Sequence, residues 1–301
     1  MRRGRVLLSA VARAWGGLGA AWDAFWFRPA PVLSLELVRA GTGLTLLVTY
    51  GAAGARVLEL YGPAAWAVTP WPGPWSGAAW PWFVAYGVLL YASAGLAVGW
   101  RTVWVKWMAL AGHLLFAHRA PALTYGLDAI LANLLFVVCL APVGRAVALD
   151  ARGRDDSERR ETGPWGAACL RLIQLQVALM FLVAGVDKLR GGSWSGGYAV
   201  WIAVTNVTFG WIPVGWLAEH FEVVRALTWL TLAFELVYPV LIWPRRTRPW
   251  LLAGALVLHA GFAVMLGLWA FSLAMLTAHV AFLPWPLRRA HVTAAVSGSG
   301  R

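Results

Sequence analysis

Lys188 is the residue with the most chemistry to offer. It follows Asp187 at the end of an apolar stretch from Ile173 to Val186 and opens a Gly- and Trp-rich segment, Leu189 to Trp201. Ionisable residues at membrane depth are costly and mark pathways, proton relays or binding sites. Adjacent helical residues point about 100° apart, so Asp187 cannot readily neutralise its neighbour, and Lys188 is expected to face the bundle alone. A lysine in a low-dielectric pocket loses some of its affinity for protons, which makes it usable as a neutral base near about pH 7. The structural alternative is a lysine that snorkels to the headgroups.

Other polar residues interrupt apolar stretches. Glu36 and Arg39 are three apart, share one helical face, and can neutralise each other or meet groups on other helices. Asp128, Asn133, Arg171, Gln174, Gln176, Glu235, His259 and His279 are spread over later stretches. Such a spread predicts one polar interior shared by the bundle, with Asn133, Gln174 and Gln176 as interhelical hydrogen-bond glue. Gly95 and Gly99, four apart, predict a close helix contact. The connection after Lys188 holds Trp194, Tyr198, Trp201 and Trp211 among glycines and is expected to fold back as a lid over a pocket.

Several chemistries are excluded. Cys139 and Cys169 lie in separate apolar stretches without a second thiol nearby, which argues against a thiol relay and for inert, buried side chains. The six histidines show no metal-ligand spacing, so no metal is expected. Phosphate-binding and dinucleotide-binding glycine motifs and zinc-protease motifs are absent from the sequence. The basic residues are scattered over several connections with no recognition motif, which excludes nucleic acid as a partner.

The elements that must position these residues are membrane spans. Of 301 residues 60% are hydrophobic and 13% charged, and the mean hydropathy is +0.66. A soluble domain of this size cannot hide so much apolar surface, and the fold expected is an all-α polytopic bundle. Stretches near the ~20 residues that a bilayer requires recur at 33–54, 80–99, 102–118, 123–143, 166–188, 222–243, 250–268 and 270–286. The division of the last two rests on Gly267, Pro284 and length. Residues 1–28, with Arg2, Arg3, Arg5 and Arg13 among aromatic and aliphatic residues, read as an interfacial amphipathic arm. Residues 29–287 form the transmembrane domain, and 288–301 a disordered cytoplasmic tail. The Pro- and Trp-rich first connection (Trp66, Trp71, Trp75, Trp80, Trp82) suits the headgroup level. Residues 144–165, rich in both charges, read as a solvated loop with no core to join.

The run Gly185, Val186, Asp187, Lys188, Leu189, followed by Trp194 and Gly197-Tyr198, resembles the HTTM domain, a bacterial membrane module related to vitamin K-dependent gamma-carboxylase. The resemblance covers roughly residues 30 to 286. Its other pieces are Leu33 to Arg39, Pro121 to Asp128, Phe234-Glu235 through Pro239, His259, Phe271-Ser272 and Phe282-Leu283-Pro284. It implies that Lys188 occupies the position of the carboxylase's base and that His259 matches a histidine of the vitamin-binding cavity, with Trp194 and Tyr198 as further cofactor-binding residues. Asp187, Glu235, Asp128, Glu36 and Arg39 are the remaining intramembrane polar candidates. Where the carboxylase has a histidine ahead of its fourth helix this chain has Pro121 or Ala122, with His118 only nearby. No stretch of these 301 residues is expected to replace the carboxylase's large lumenal domain, which grips the propeptide and presents glutamates.

Two functions follow from the resemblance, beside a third, blander reading as a lipid- or quinone-binding structural protein. One is a quinol-dependent enzyme of the bacterial inner membrane, in which Lys188 deprotonates a reduced naphthoquinone such as menaquinol or vitamin K hydroquinone and His259 orients it. Oxygen then reacts, and the resulting base attacks a substrate proton. The alternative is a non-enzymatic maturation or accessory factor for a secreted peptide or partner chain. In either case Lys188→Ala is expected to abolish function with little loss of stability if the lysine stands in a preformed pocket.

Charge placement predicts the topology. With both termini in the cytoplasm, the ends and even-numbered connections hold seventeen of the 25 Lys and Arg residues. Single cysteines at Ser157 and Ser195 are therefore expected to react with an impermeant thiol reagent from opposite sides of the membrane. Reaction of both from one side contradicts an even number of spans.

Overall fold

The computed structural model describes residues 16–65, 77–153, 161–208 and 212–283. Its elements are helical, apart from one isolated antiparallel bridge between Pro31 and Glu161. Eight helices follow the eight expected segments: α1 (Val32–Gly51), α2 (Trp80–Val98), α3 (Thr102–Arg119), α4 (Gly126–Leu140), α5 (Pro164–Arg190), α6 (Phe221–Leu241), α7 (Arg248–Leu266) and α8 (Trp269–His279). A further helix covers 16–27.

The chain is thus an all-α bundle, and α1, α2, α5, α6 and α7 are long and apolar enough to cross a membrane. The shorter α4 has 15 residues, about 22 Å of helix against a bilayer core of about 30 Å. The division between α7 and α8 falls at Gly267, whose φ of 68° ends α7 in a left-handed turn that a side chain would resist.

The core centres on α1, which packs against α2, α4 and α8. Val38 and Leu46 of α1 meet Leu89 and Leu96 of α2, Leu131 and Leu135 of α4 and Ile173 of α5, all fully buried. The outward faces are apolar too: Trp104, Leu230, Val240, Trp250 and Val257 are exposed. Such faces suit lipid rather than water, so the chain is a multi-pass membrane protein.

One end of the bundle is tied by polar contacts. The Glu36–Arg39 pair is completely buried, with Nε 2.9 Å from Oε2. Arg39 also donates to the carbonyls of Leu96, Ala97 and Val147, and Glu36 Oε1 accepts from the Arg145 amide at 2.7 Å. The pair therefore joins α1, the end of α2 and the connection after α4. Asp150 in the same connection caps α3 from a distance, accepting from the amides of Arg101 (2.8 Å) and Thr102 (2.7 Å) and from the Thr102 hydroxyl (2.8 Å). Arg101 there adopts a left-handed φ of 48°. The connection is thus more than a solvated loop: Ala151 and Thr162 are buried and Thr162 bonds back to Ala30.

The single shared polar interior does not form. Asp128 caps α4, its Oδ2 accepting from the Tyr125 amide at 2.9 Å. His113 is satisfied separately by the Tyr50 hydroxyl (2.9 Å) and the Asp128 carbonyl (3.0 Å). Gln174 does act as interhelical glue, donating to Ala281 at 2.6 Å, whereas Asn133 is exposed on α4. Gly95 allows α3 to approach at Val105, but Gly99 ends α2 with φ 72° and packs on Ala148 instead of a helix. Trp82 is buried under the Arg119 guanidinium, 4.5 Å from its ring, rather than placed among headgroups. Trp66, Trp71 and Trp75, residues 1–15 and the tail beyond 283 lie outside the described residues.

Two predictions follow from this end. Arg39→Met strands the buried Glu36 carboxylate and three carbonyls and is expected to lower stability by about 3–5 kcal/mol, read as thermal unfolding in detergent. For Asp150, burial acts to raise the carboxyl, but the bonds from Thr102 and Arg101 and the Arg39 charge outweigh it and hold the group below the usual carboxylate range. Its contribution is therefore complete above about pH 4 and lost as pH falls through the lower folded value. Asp150→Ala should cost about 1 kcal/mol at neutral pH and remove that part of the acid sensitivity.

Candidate functional site

Lys188 sits in the last turn of α5. Phe181, Gly185 and Lys188 recur at positions i, i+4 and i+7, one stripe of the helix, and this stripe faces α6. Gly185 permits the approach: a Cβ there would lie 3.0 Å from Leu236 Cδ2 and 3.3 Å from the Glu235 carbonyl carbon.

Glu235 consequently meets Lys188. The ammonium Nζ donates to Oε1 at 2.9 Å and lies 2.7 Å from Oε2. The Glu235 side chain is 5% exposed and that of Lys188 22%, so the carboxylate is enclosed while the ammonium keeps a limited opening. The expectation that Lys188 faces the bundle alone is corrected: a counter-charge comes from a different helix, 47 residues away in sequence. Asp187 points outward, as the helical angle requires, and pairs loosely with Arg190 at 3.5 Å on the surface.

The connection after α5 folds back over this pair. Short helices at Gly192–Ser195, Ala199–Val204 and Trp216–Glu219 lie along the first half of α6 and the end of α7. Val204, Val214, Leu217 and Val224 form a second small core there, bordered by Met265 and Leu266. The Val200 amide donates to Thr228 Oγ1 at 3.2 Å. Trp194 from the first short helix places its ring 5.1 Å from Lys188 Nζ, a cation–π contact. Tyr198 is not brought in; it is exposed and lies against Gly196. Trp211 lies outside the described residues.

On the other side of the pair, toward the bundle interior, aromatic and imidazole rings gather. Phe181 of α5 stacks on Tyr238 of α6 with centroids 4.0 Å apart. His279 of α8 lies 5.7 Å from Phe181 and 5.5 Å from Tyr238, and His259 of α7 lies 5.5 Å from His279 and 6.3 Å from Phe181. Phe262 and Phe271 border His259. All three polar rings are buried. His279 Nδ1 is 2.7 Å from the Met275 carbonyl, which can only accept. In the neutral ring Nδ1 therefore carries the proton and Nε2 is left as an acceptor. Among the described residues, His279 Nε2, both nitrogens of His259 and the Tyr238 hydroxyl have no hydrogen-bond partner. Buried polar atoms without partners are uncommon, and these four lie in one cluster.

Lys188, Trp194, His259 and Glu235 thus belong to one region of α5 to α8 and the lid, whereas Glu36, Arg39 and Asp128 belong to other networks. Sequence reasoning did not single out Phe181 or Tyr238, nor His279 as a neighbour of His259. The signals were the Phe181, Gly185, Lys188 stripe and the three-residue spacing of Glu235 and Tyr238. Among the described residues no group of three or more His, Cys, Asp or Glu side chains could hold a metal ion.

The family model of the HTTM domain matches residues 27–285. No curated protein and no solved structure matches the chain. The match extends from the start of the bundle to its last helix and includes both halves of the Lys188–Glu235 pair, and the chain therefore belongs to the HTTM domain family.

Proposed function

We propose that the chain is a quinol-dependent membrane enzyme in which Lys188, coupled to Glu235, serves as the base. The observation that carries this reading is the combination of a buried ion pair and, two helical turns or about 10 Å along α5, a ring-lined cluster with four unpartnered polar atoms. A reduced naphthoquinone fits such surroundings: it is flat and apolar with hydroxyls at its edge. Phe181 and Tyr238 offer ring faces, His279 Nε2 offers an acceptor, and His259 offers either role. Bound there, the quinol would supply an acidic hydroxyl and reducing electrons.

The protein's own contribution is proton handling. Lys188 acts as a base only as the amine, and Glu235 stands within hydrogen-bond distance to take the ammonium proton. A neutral amine–acid pair and a charged ammonium–carboxylate pair have the same net charge, so interconversion needs no ion from outside. Trp194 and the lid limit water access to the ammonium.

We further infer that the bundle crosses the membrane eight times with the Arg-rich end and both termini in the cytoplasm. Gathering of the α1 start, α2 end, α3 start, α4 end and α5 start at one end supports this reading.

The second reading, an accessory factor for a secreted peptide or partner chain, is favoured by a different aspect of the same pair: both charges are satisfied, as a purely structural pair requires. Substitutions separate the two. Lys188→Ala leaves a carboxylate buried and alone, so a loss of about 3–5 kcal/mol is expected rather than the near-neutral effect foreseen for an isolated lysine. Lys188→Arg preserves the charge pair but stays protonated. In proteoliposomes with a menaquinol analogue, the arginine variant should lose at least about 100-fold in quinol-dependent oxygen uptake while unfolding within a few degrees of the parent. Full activity of this variant contradicts base chemistry and leaves the accessory reading.

A further inference from the structure

At the end of the bundle opposite Lys188, arginines converge. Arg171, two turns into α5, is half-buried; its Nε donates to the Phe25 carbonyl at 2.8 Å and its Nη1 to Gln174 Oε1 at 2.6 Å. The guanidinium lies 5.2 Å from the Phe25 ring. Phe25 in turn packs 5.8 Å from Trp243, and the Trp243 and Ile242 carbonyls accept from Arg248 Nη2 (2.8 Å) and Nε (3.2 Å). Arg28 follows Phe25 by three residues and is exposed. Arg28 and Arg248 are both close enough to Arg171 to act on its charge, and Arg245 acts on Arg248.

Every acceptor in this cluster is neutral. Among the described residues no carboxylate forms an ion pair with Arg28, Arg171, Arg245 or Arg248. The neutral bonds fix Arg171 and Arg248 in place while leaving Arg171 Nη2, Arg248 Nη1 and the whole Arg28 guanidinium as donors. Partly buried like charges repel and need an anion, and guanidinium forks match phosphate oxygens. Beside the cluster, Trp22, Phe27, Leu241 and Trp250 expose large apolar side chains, interspersed with the exposed Asp23, Arg245 and Arg246.

We propose that Arg28, Arg171 and Arg248 form a binding site for the phosphate of an anionic phospholipid, wedged between the 16–27 helix, α5 and the α6–α7 turn. The exposed aromatic and aliphatic side chains would lie against its acyl chains, which favours a lipid over a free phosphate. Basic pockets between membrane helices hold lipid headgroups in this way.

The test uses the full chain in neutral detergent, with native mass spectrometry of retained lipid and thermal unfolding as readouts. Added phosphatidylglycerol should be retained and should raise the unfolding temperature, whereas phosphatidylcholine should do neither. Arg28→Gln, an exposed change that leaves folding intact, should reduce phosphatidylglycerol retention about fivefold, and Arg28→Gln with Arg248→Gln should reduce it further. Arg56→Gln, exposed and paired with Glu59, should leave retention unchanged. Equal retention of the two lipids, or full retention by the double variant, overturns the site. Stabilisation by inorganic phosphate equal to that by phosphatidylglycerol overturns the lipid assignment in favour of a soluble phosphate.

Discussion

An ammonium and a carboxylate from two different helices, held within 2.9 Å inside an apolar bundle, form the constraint around which this half of the molecule is arranged. Taking both charges from water is repaid only by close geometry. That geometry requires Gly185, because a side chain there would push α6 away from α5. It also requires a cover, since the last turn of α5 would otherwise open to the surroundings. The folded-back short helices and Trp194 supply it. The stripe that carries Lys188 toward Glu235 also carries Phe181 onto Tyr238, so the ion pair and the ring cluster are positioned by one helix–helix contact.

The opposite end solves the buried-charge problem differently. Glu36 and Arg39 neutralise each other locally and spend their remaining bonding capacity on backbone groups. This satisfies the otherwise unpaired carbonyls at the end of α2 and explains why the pair is fully buried. A proton-transfer role there would disturb three elements at once. The Lys188–Glu235 pair makes fewer bonds and keeps an opening, which suits a group that changes its protonation. Arg171 and Arg248 show a third arrangement, cations fixed by neutral acceptors and open to an external anion.

Much of the fold was legible because apolar helices are dictated by length and hydropathy: the first seven expected segments coincide with α1 to α7 within a few residues, α8 ends at His279 short of the expected 286, and Gly267 marks the least obvious break. The position of Lys188 was legible as a costly residue in an apolar run. Its partner was not. Glu235 lies 47 residues away, and pairing across helices depends on crossing geometry that periodicity does not encode. The assumption of one polar interior failed for the same reason: Asp128 was free to satisfy its own helix terminus, and local capping took precedence over a long-range contact. Tyr198 shared a glycine-rich segment with Trp194, but the turn at Gly196 and Gly197 sends the two rings in different directions.

The central claim is that Lys188 acts as a proton acceptor and is more than half of a structural pair. Exchanging the two residues, as Lys188→Glu with Glu235→Lys, keeps one positive and one negative charge in the same place while moving the amine from α5 to α6. Quinol-dependent oxygen uptake by the exchanged protein in proteoliposomes is the most direct measurement. The account predicts a folded protein of near-parental stability with activity reduced at least about 100-fold. Activity equal to that of the parent would contradict it.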